Sequence, residues 1–326
     1  MQPVTEPDPV PEADLSKLRT VPVAARPNRV RAQDFARPPR AAGSFADFLG
    51  SLPDILKAAD FLAVVDAIVA AASGRRAIVA MIGGHVTKTG LGPVLIDLME
   101  RGAITHVAAN GSTVIHDYEM ARFGGTSEDV EAGLGDGTFG MAEETGREMN
   151  EAARAGMERG WGLGEALARA LEARGDLAHP ELSMLLAARR LGVGFTVHAA
   201  IGAEITHQHP AADGAAIGAT SHTDFRRLAA HLVGLEDGVV LNIGSAVIMP
   251  EVFLKALTVC RNLNGGTPRQ FVAADFDMIR HYRPRMNVVQ RPTRSGAGRG
   301  YEITGHHEIM IPLLAWAIAE KLDRRG

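Results

Sequence analysis

The sequence predicts an α/β protein built on one parallel β-sheet with helices on both faces. Three observations predict it. Short continuous apolar runs recur along the chain, each ending in glycine or small polar residues, as strands buried on both faces do. Stretches of helical periodicity separate them, the pattern of right-handed strand–helix–strand crossovers. The chain has 326 residues, 46% of them hydrophobic, enough to bury a large core without disulfides.

Residues 1–43 come first and carry eight prolines: Pro3, Pro7, Pro9, Pro11, Pro22, Pro27, Pro38 and Pro39. With little periodic apolar character they read as an extended arm, either disordered or wrapped around a neighbouring subunit. Residues 44–326 read as a single α/β domain. A helical period starts at Phe45 and continues through Leu56, Phe61, Val65, Ile68 and Val69. The run Ala77 to Ile82 is a buried strand ending in Gly83-Gly84, and Gly92-Pro93 opens a helix, since proline is tolerated in a first turn. Ile104 to Ala109 forms a second strand that ends at Asn110-Gly111-Ser112. Residues 139–174 read as helices, Phe195 to Ala200, Val239 to Ile243 and Phe271 to Ala274 as short strands, and Gly305 to Leu322 as a closing helix. There is no internal repeat.

Bulk properties exclude several classes. A net charge of −4 gives no global basic field for nucleic acid. No apolar run reaches the roughly 18 residues of a membrane helix, and the amino terminus lacks the apolar segment of a secretory signal. The one cysteine, Cys260, permits no disulfide within the chain. A soluble, cytoplasmic protein is the expectation.

In open parallel sheets, ligands sit beyond the carboxyl ends of the strands, and the unusual residues cluster there. Gly83-Gly84-His85-Val86-Thr87-Lys88-Thr89-Gly90 offers close backbone approach, exposed N–H groups and a lysine, which suit an anion such as phosphate. It lacks the Walker and GxGxxG spacings, and an ordinary glycine-rich turn with a solvated lysine has the same composition. Asn110 to Asp117 places His116 and Asp117 at a helix start, for proton transfer, or else for helix capping by Ser112 or Thr113 with His116 on the surface. His198, Glu204, His207, His209 and Asp213 form a third cluster. His207-x-His209 has the spacing of a metal pair, yet a polar substrate or cofactor contact needs the same residue types, and so does plain structure. Gly244-Ser245 follows a strand. Arg280, Arg283, Arg285, Arg291, Arg294 and Arg299 suit bidentate recognition of carboxylate or phosphate, or a charged surface loop. Gly305-His306-His307-Glu308 opens the last helix as a cap or as the edge of a site.

Taken in order, from Ala77 to Leu322, these clusters resemble the deoxyhypusine synthase family. That family's Ser/Asn loop and glycine fall on His85 to Gly90. Its Thr-Ala-Gly-Gly-x-Glu-Glu-Asp motif falls on Asn110 to Asp117, and its Gly-Gly-Gly turn on Val239 to Ser245. Its final Asp-Ala-Ser and Pro-Leu-Leu helix fall on His306-His307-Glu308 and Pro312-Leu313-Leu314. The resemblance implies a Rossmann-like sheet, NAD as cofactor, and a homotetramer with sites between subunits. By position it assigns cofactor binding to His85, Lys88, Thr89, Gly111, Ser112, His306 and His307, and Gly84, Asn110, Gly244 and Ser245 at the same strand ends join them as expected cofactor contacts.

The family's aminobutyl transfer does not follow. Its imine-forming lysine has no counterpart, because no lysine lies between Lys255 and Lys321. Ile248-Met249-Pro250 stands where the family has Lys-His-His, and His116 replaces its second glutamate. Arginines occupy the late segment where a polyamine would need carboxylates. The expectation is therefore a deoxyhypusine synthase-like transferase or oxidoreductase that uses NAD or another nucleotide on a small anionic substrate. His116, Asp117, His207 and His209 would be catalytic, with Glu204, Arg283, Arg285 and Arg291 on the substrate. A metal-dependent hydrolase or lyase using His207, His209 and a carboxylate is one alternative. A non-catalytic ligand-binding or assembly protein is the other.

Overall fold

A computed structural model describes residues 10–294 and 296–324. Of the arm, Pro3, Pro7 and Pro9 lie outside the described residues. Residues 10–43 run almost wholly exposed, with three short 3-10 turns, and join the body where the Arg37 N–H donates to the Ser51 carbonyl.

Helices α1 (Phe45–Ser51) and α2 (Leu56–Ser73) precede β1 (Ile78–Ile82), α3 (Gly84–Lys88) and α4 (Gly92–Glu100). Then come β2 (His106–Asn110), α5 (Gly111–Phe123), α6 (Val130–Asp136), α7 (Glu143–Arg159), α8 (Leu163–Glu172) and α9 (Met184–Leu191). The second half contains β3 (Gly194–His198), α10 (Gly214–His231), β4 (Val239–Ile243), α11 (Ile248–Leu263), β5 (Val272–Asp277), β6 (Arg299–Thr304) and α12 (His307–Asp323). A π-helical turn over Pro284–Gln290 connects β5 to β6.

The six strands form one all-parallel sheet in the order β3-β2-β1-β4-β5-β6. This is the doubly wound order of dinucleotide-binding sheets, whose strand order reverses between β1 and β4. Alternate residues of β1 enter two cores, as a period of two requires. Ile78, Ala80 and Ile82 pack with α2, α4 and α12, while Val79 and Met81 pack with α10 and α11. Helices thus cover both faces.

The predicted strands are present, with ends displaced by a few residues. Strand β6 is additional, because Arg299–Thr304 reads as a charged loop. An edge strand with half its residues exposed needs no apolar run, so periodicity does not mark it.

Candidate functional site

At the reversal between β1 and β4 the two following loops touch backbone to backbone. A Cβ added to Gly83 would overlap the Gly244 carbonyl, and Gly244 itself takes φ +66°. Ser245 caps α11: its Oγ accepts from the Met249 N–H at 3.1 Å, and its carbonyl accepts from Asn242 at 3.0 Å. His307 lies buried beneath Gly244, where its Nε2 donates to the Phe276 carbonyl at 3.1 Å. The ring of His85 stands 5.6 Å from it. Burial, with His307 and Lys88 adding, holds His85 below the ordinary histidine range. Gly84 packs directly on Ser112, and the Thr89 hydroxyl donates back to the His85 carbonyl, closing α3. His306 is exposed and faces Glu308 at 3.7 Å, apart from the crevice.

Beyond β2 the chain builds something different. Asn110 caps α5: its Oδ1 accepts from the Thr113 N–H at 3.2 Å, the Thr113 hydroxyl at 2.7 Å and Ser112 at 3.1 Å. Sequence spacing offers Asn110 as a ligand group, but here its acceptor is engaged. The carboxylate that reaches this position comes from the loop after β3. Glu204 Oε1 accepts from the Gly111 N–H at 3.2 Å and the Ala200 N–H at 2.8 Å. Glycine at 111 permits this, since a Cβ there would overlap the carboxylate. Burial pushes Glu204 up to about 7.

Glu204 forms part of the wall of a cavity of about 660 Å³, together with Lys88, Ser112, His116, Glu119, Glu128, Glu144 and the apolar side chains Ile115, Phe123, Phe139 and Ile205. Three residues that sequence reasoning passed over organise it. Thr126 donates its single hydroxyl proton to Glu119 at 2.5 Å, so at 2.8 Å it must accept from His116 Nδ1–H. Thr145 holds the other Glu119 oxygen at 3.0 Å. The chain Glu119–Thr126–His116 therefore fixes one tautomer and leaves the His116 Nε2 lone pair without a partner among the described residues. Burial, then Lys88, lowers the His116 pKa, so the ring is neutral near pH 7. Glu119 follows His116 by one helical turn, and that spacing was the available sequence signal. Thr126 carried none.

Several expected roles change. Asp117 does not orient His116. It is buried on another side of α5, where it accepts from Ser183 Oγ at 2.7 Å and the Met184 N–H at 2.7 Å, and from Leu185 at 3.3 Å. It anchors the start of α9, and burial still raises it to about 6. His207 Nδ1 accepts from the Gly202 N–H at 3.1 Å, which leaves its Nε2–H for Glu204 at 3.3 Å. His209 Nδ1 accepts from the Ala211 N–H at 3.0 Å, and its ring packs on Gly146 of α7. The two are not a metal pair, and among the described residues no three His, Cys, Asp or Glu side chains are grouped to hold an ion.

Arg283, Arg285 and Arg291 do not line the cavity. Arg283 pairs with Glu251 at 3.1 Å, and Arg291 donates to Asn287 at 2.7 Å. Four glutamates and one lysine line the cavity, and the arginines that pointed to an anionic substrate lie outside it. No helix among the described residues is long and apolar enough to cross a membrane.

No family model and no curated protein matches the sequence. Solved structures match its fold. A conserved protein from Methanococcus maripaludis S2 assigned to LOR/SDH superposes with a TM-score of 0.50 at 14% identity, over 83% of this chain and 71% of that one. AgrE, solved as a ternary complex with ornithine and NAD+, gives 0.49 at 16% identity, over 80% of this chain and 33% of AgrE. This chain thus spans about a third of AgrE's length. An Entamoeba histolytica protein assigned to deoxyhypusine synthase gives 0.47 at 8% identity, over 86% and 94% of the two chains. These are likenesses of fold alone.

Proposed function

We propose that this chain is a nucleotide-dependent enzyme that binds NAD along the carboxyl ends of its strands, with the adenosine half in the cavity beyond β2. One observation carries the reading: a single cavity beyond β2 holds both a buried carboxylate, Glu204, and a neutral imidazole with a free Nε2.

Sheets of this strand order hold the adenosine ribose on an acidic residue at the end of the second strand. Here Asn110 is engaged in capping, and Glu204 supplies the carboxylate from a neighbouring loop. Gly111 N–H and Ala200 N–H occupy Oε1 and His207 faces Oε2, which keeps lone-pair capacity for a hydroxyl. Ile115, Phe123, Phe139 and Ile205 give the flat apolar walls a purine needs. Gly83 caps α3 without a side-chain contact, so the first-turn N–H groups there, with Lys88 at the other end, suit phosphate. Such a cofactor would supply hydride chemistry, while the chain's own part is to hold and orient it, His116 Nε2 offering the purine's amino group an acceptor.

Calorimetry with NAD, its 2′-phosphorylated form NADP, and AMP tests this. A carboxylate at the ribose predicts NAD and AMP binding with NADP at least about tenfold weaker, since a dianionic 2′-phosphate would face Glu204. Glu204→Gln should bring the two dinucleotides to similar affinity. Equal binding of NAD and NADP by the unaltered protein, or binding of neither, would remove the proposal.

A further inference from the structure

Beyond the end of β3, between α10 and α11, a second cavity of about 270 Å³ opens, sharing no lining residue with the one beside α5. His198, Ile201, Ile217, Gly218, Phe225 and Val252 line most of it, and no Asp, Glu, Lys or Arg side chain does. His222 lies against Phe225 with ring centroids 6.2 Å apart and planes 16° from parallel, a flat aromatic wall at the mouth.

The polar residues of this cavity are Ser221, whose hydroxyl is engaged with the Val197 carbonyl and the Ala199 N–H, His222 at the mouth, and His198, itself 3% exposed. Its protonation follows from its neighbours. Thr196 Oγ1 lies 3.1 Å from His198 Nε2 and 3.0 Å from His106 Nε2. A hydroxyl has one proton, and the buried His106 Nδ1 has no partner. A bare lone pair at that orphaned site is tolerated better than a stranded N–H. His106 therefore donates from Nε2 to Thr196, Thr196 donates to His198 Nε2, and the His198 proton sits on Nδ1. The reverse relay would strand the proton on the fully buried His106 Nδ1, whereas this one leaves it on His198, which lines the cavity. Among the described residues the His198 Nδ1–H has no protein acceptor.

Gly218 adds room on the α10 side of the cavity. It sits inside the 18-residue helix α10, where glycine is about 1 kcal/mol less favourable than alanine. A Cβ built there meets nothing within 4 Å. No protein neighbour requires a glycine here, and the room it leaves belongs to the cavity.

We propose that this second cavity binds an uncharged aromatic carbonyl compound, such as a ring carboxamide, whose oxygen accepts from His198 Nδ1–H while the ring lies against Phe225 and His222. Burial holds His198 down at about 3, so the donor is neutral across the physiological range and offers no charge to a carboxylate. This reading does not depend on the nucleotide site.

Ligand-observed NMR with benzamide, benzoate and benzene tests it on the full chain. Benzamide should bind, benzoate and benzene should each bind at least about tenfold more weakly, and Gly218→Leu should weaken benzamide by a similar factor with a melting temperature no lower than that of the unaltered protein. Absence of benzamide binding at millimolar concentration overturns the proposal. So does equal binding of benzoate, or undiminished binding by Gly218→Leu. The unaltered protein provides a second readout should that variant fold poorly: ¹⁵N long-range correlation should find the His198 proton on Nδ1, and a proton on Nε2 would sink the assignment.

Discussion

At the carboxyl end of β2, His116 and Glu204 keep a free lone pair each and open into one cavity. At the ends of β4, β5 and β6, Asn242, Asp275 and Glu302 stand side by side at one register level, and the residues around them are turned on each other. Asn242 donates to Asp275 at 2.8 Å, Arg280 to Thr304 at 3.0 Å, and Glu251 takes both Arg283 and Asn287. Both halves of the rim carry the same residue types that mark a site in sequence. What separates them is access: His116 Nε2 and a Glu204 lone pair open into a cavity, whereas Asn242 Oδ1 and Glu302 Oε1, also without partners, are closed off from solvent. Availability for chemistry is a property of the surroundings, and neither residue type nor position along a strand reports it.

The largest test of this contrast is Asp117 against its neighbour His116. Asp117→Ala strands three donors in the core and should cost about 3 kcal/mol in urea unfolding, while His116→Gln should leave stability within about 0.5 kcal/mol. If the two variants are equally destabilised, the division between scaffold and site fails at α5.

On the other half of the rim, burial pushes Asp275 up to about 7, with Asp277 and Glu302 adding. A carboxyl raised in the folded state stabilises below its unfolded pKa, and that stability is lost as pH rises through about 7. Asp275→Asn should therefore gain about 1–2 kcal/mol relative to the unaltered protein between about pH 4 and 7, read from unfolding at each pH.

Glu204 has a similar shift, but its consequence should lie in binding. As pH falls through about 7 it takes up a proton, and NAD affinity should drop by about tenfold between pH 8 and 6, a dependence that Glu204→Gln abolishes. Arg283 offers the complementary null result. It is half exposed and paired with Glu251, so Arg283→Ala should change stability by less than about 0.5 kcal/mol and leave nucleotide affinity untouched. A large affinity loss would extend the site across the reversal. The smallest effect is at Lys88. Its charge depresses His116, so Lys88→Met should raise the His116 pKa in an NMR titration.

The sheet was legible because strands buried on both faces must be apolar throughout, and β1 and β4 are. The edge strand β6 was not, since half of it meets solvent. Lys88, Ser112, His116 and Glu204 were all marked by position at strand ends and do line one cavity. Thr126 and Thr145 were invisible, because their importance arises only from contact with Glu119.

Sequence by itself determined the alternation of strand and helix and the set of polar residues at the strand ends, since both follow from local composition and period. Only the tertiary structure decided that Glu204, ninety-odd residues from Gly111 along the chain, would supply the carboxylate at the end of β2, and that Asp117 would turn into the core while His116 turned out. Adjacent residues on a helix point about 100° apart, so which one reaches a cavity depends on what packs against the helix. Packing partners come from distant segments, and a pattern read along the chain does not contain them.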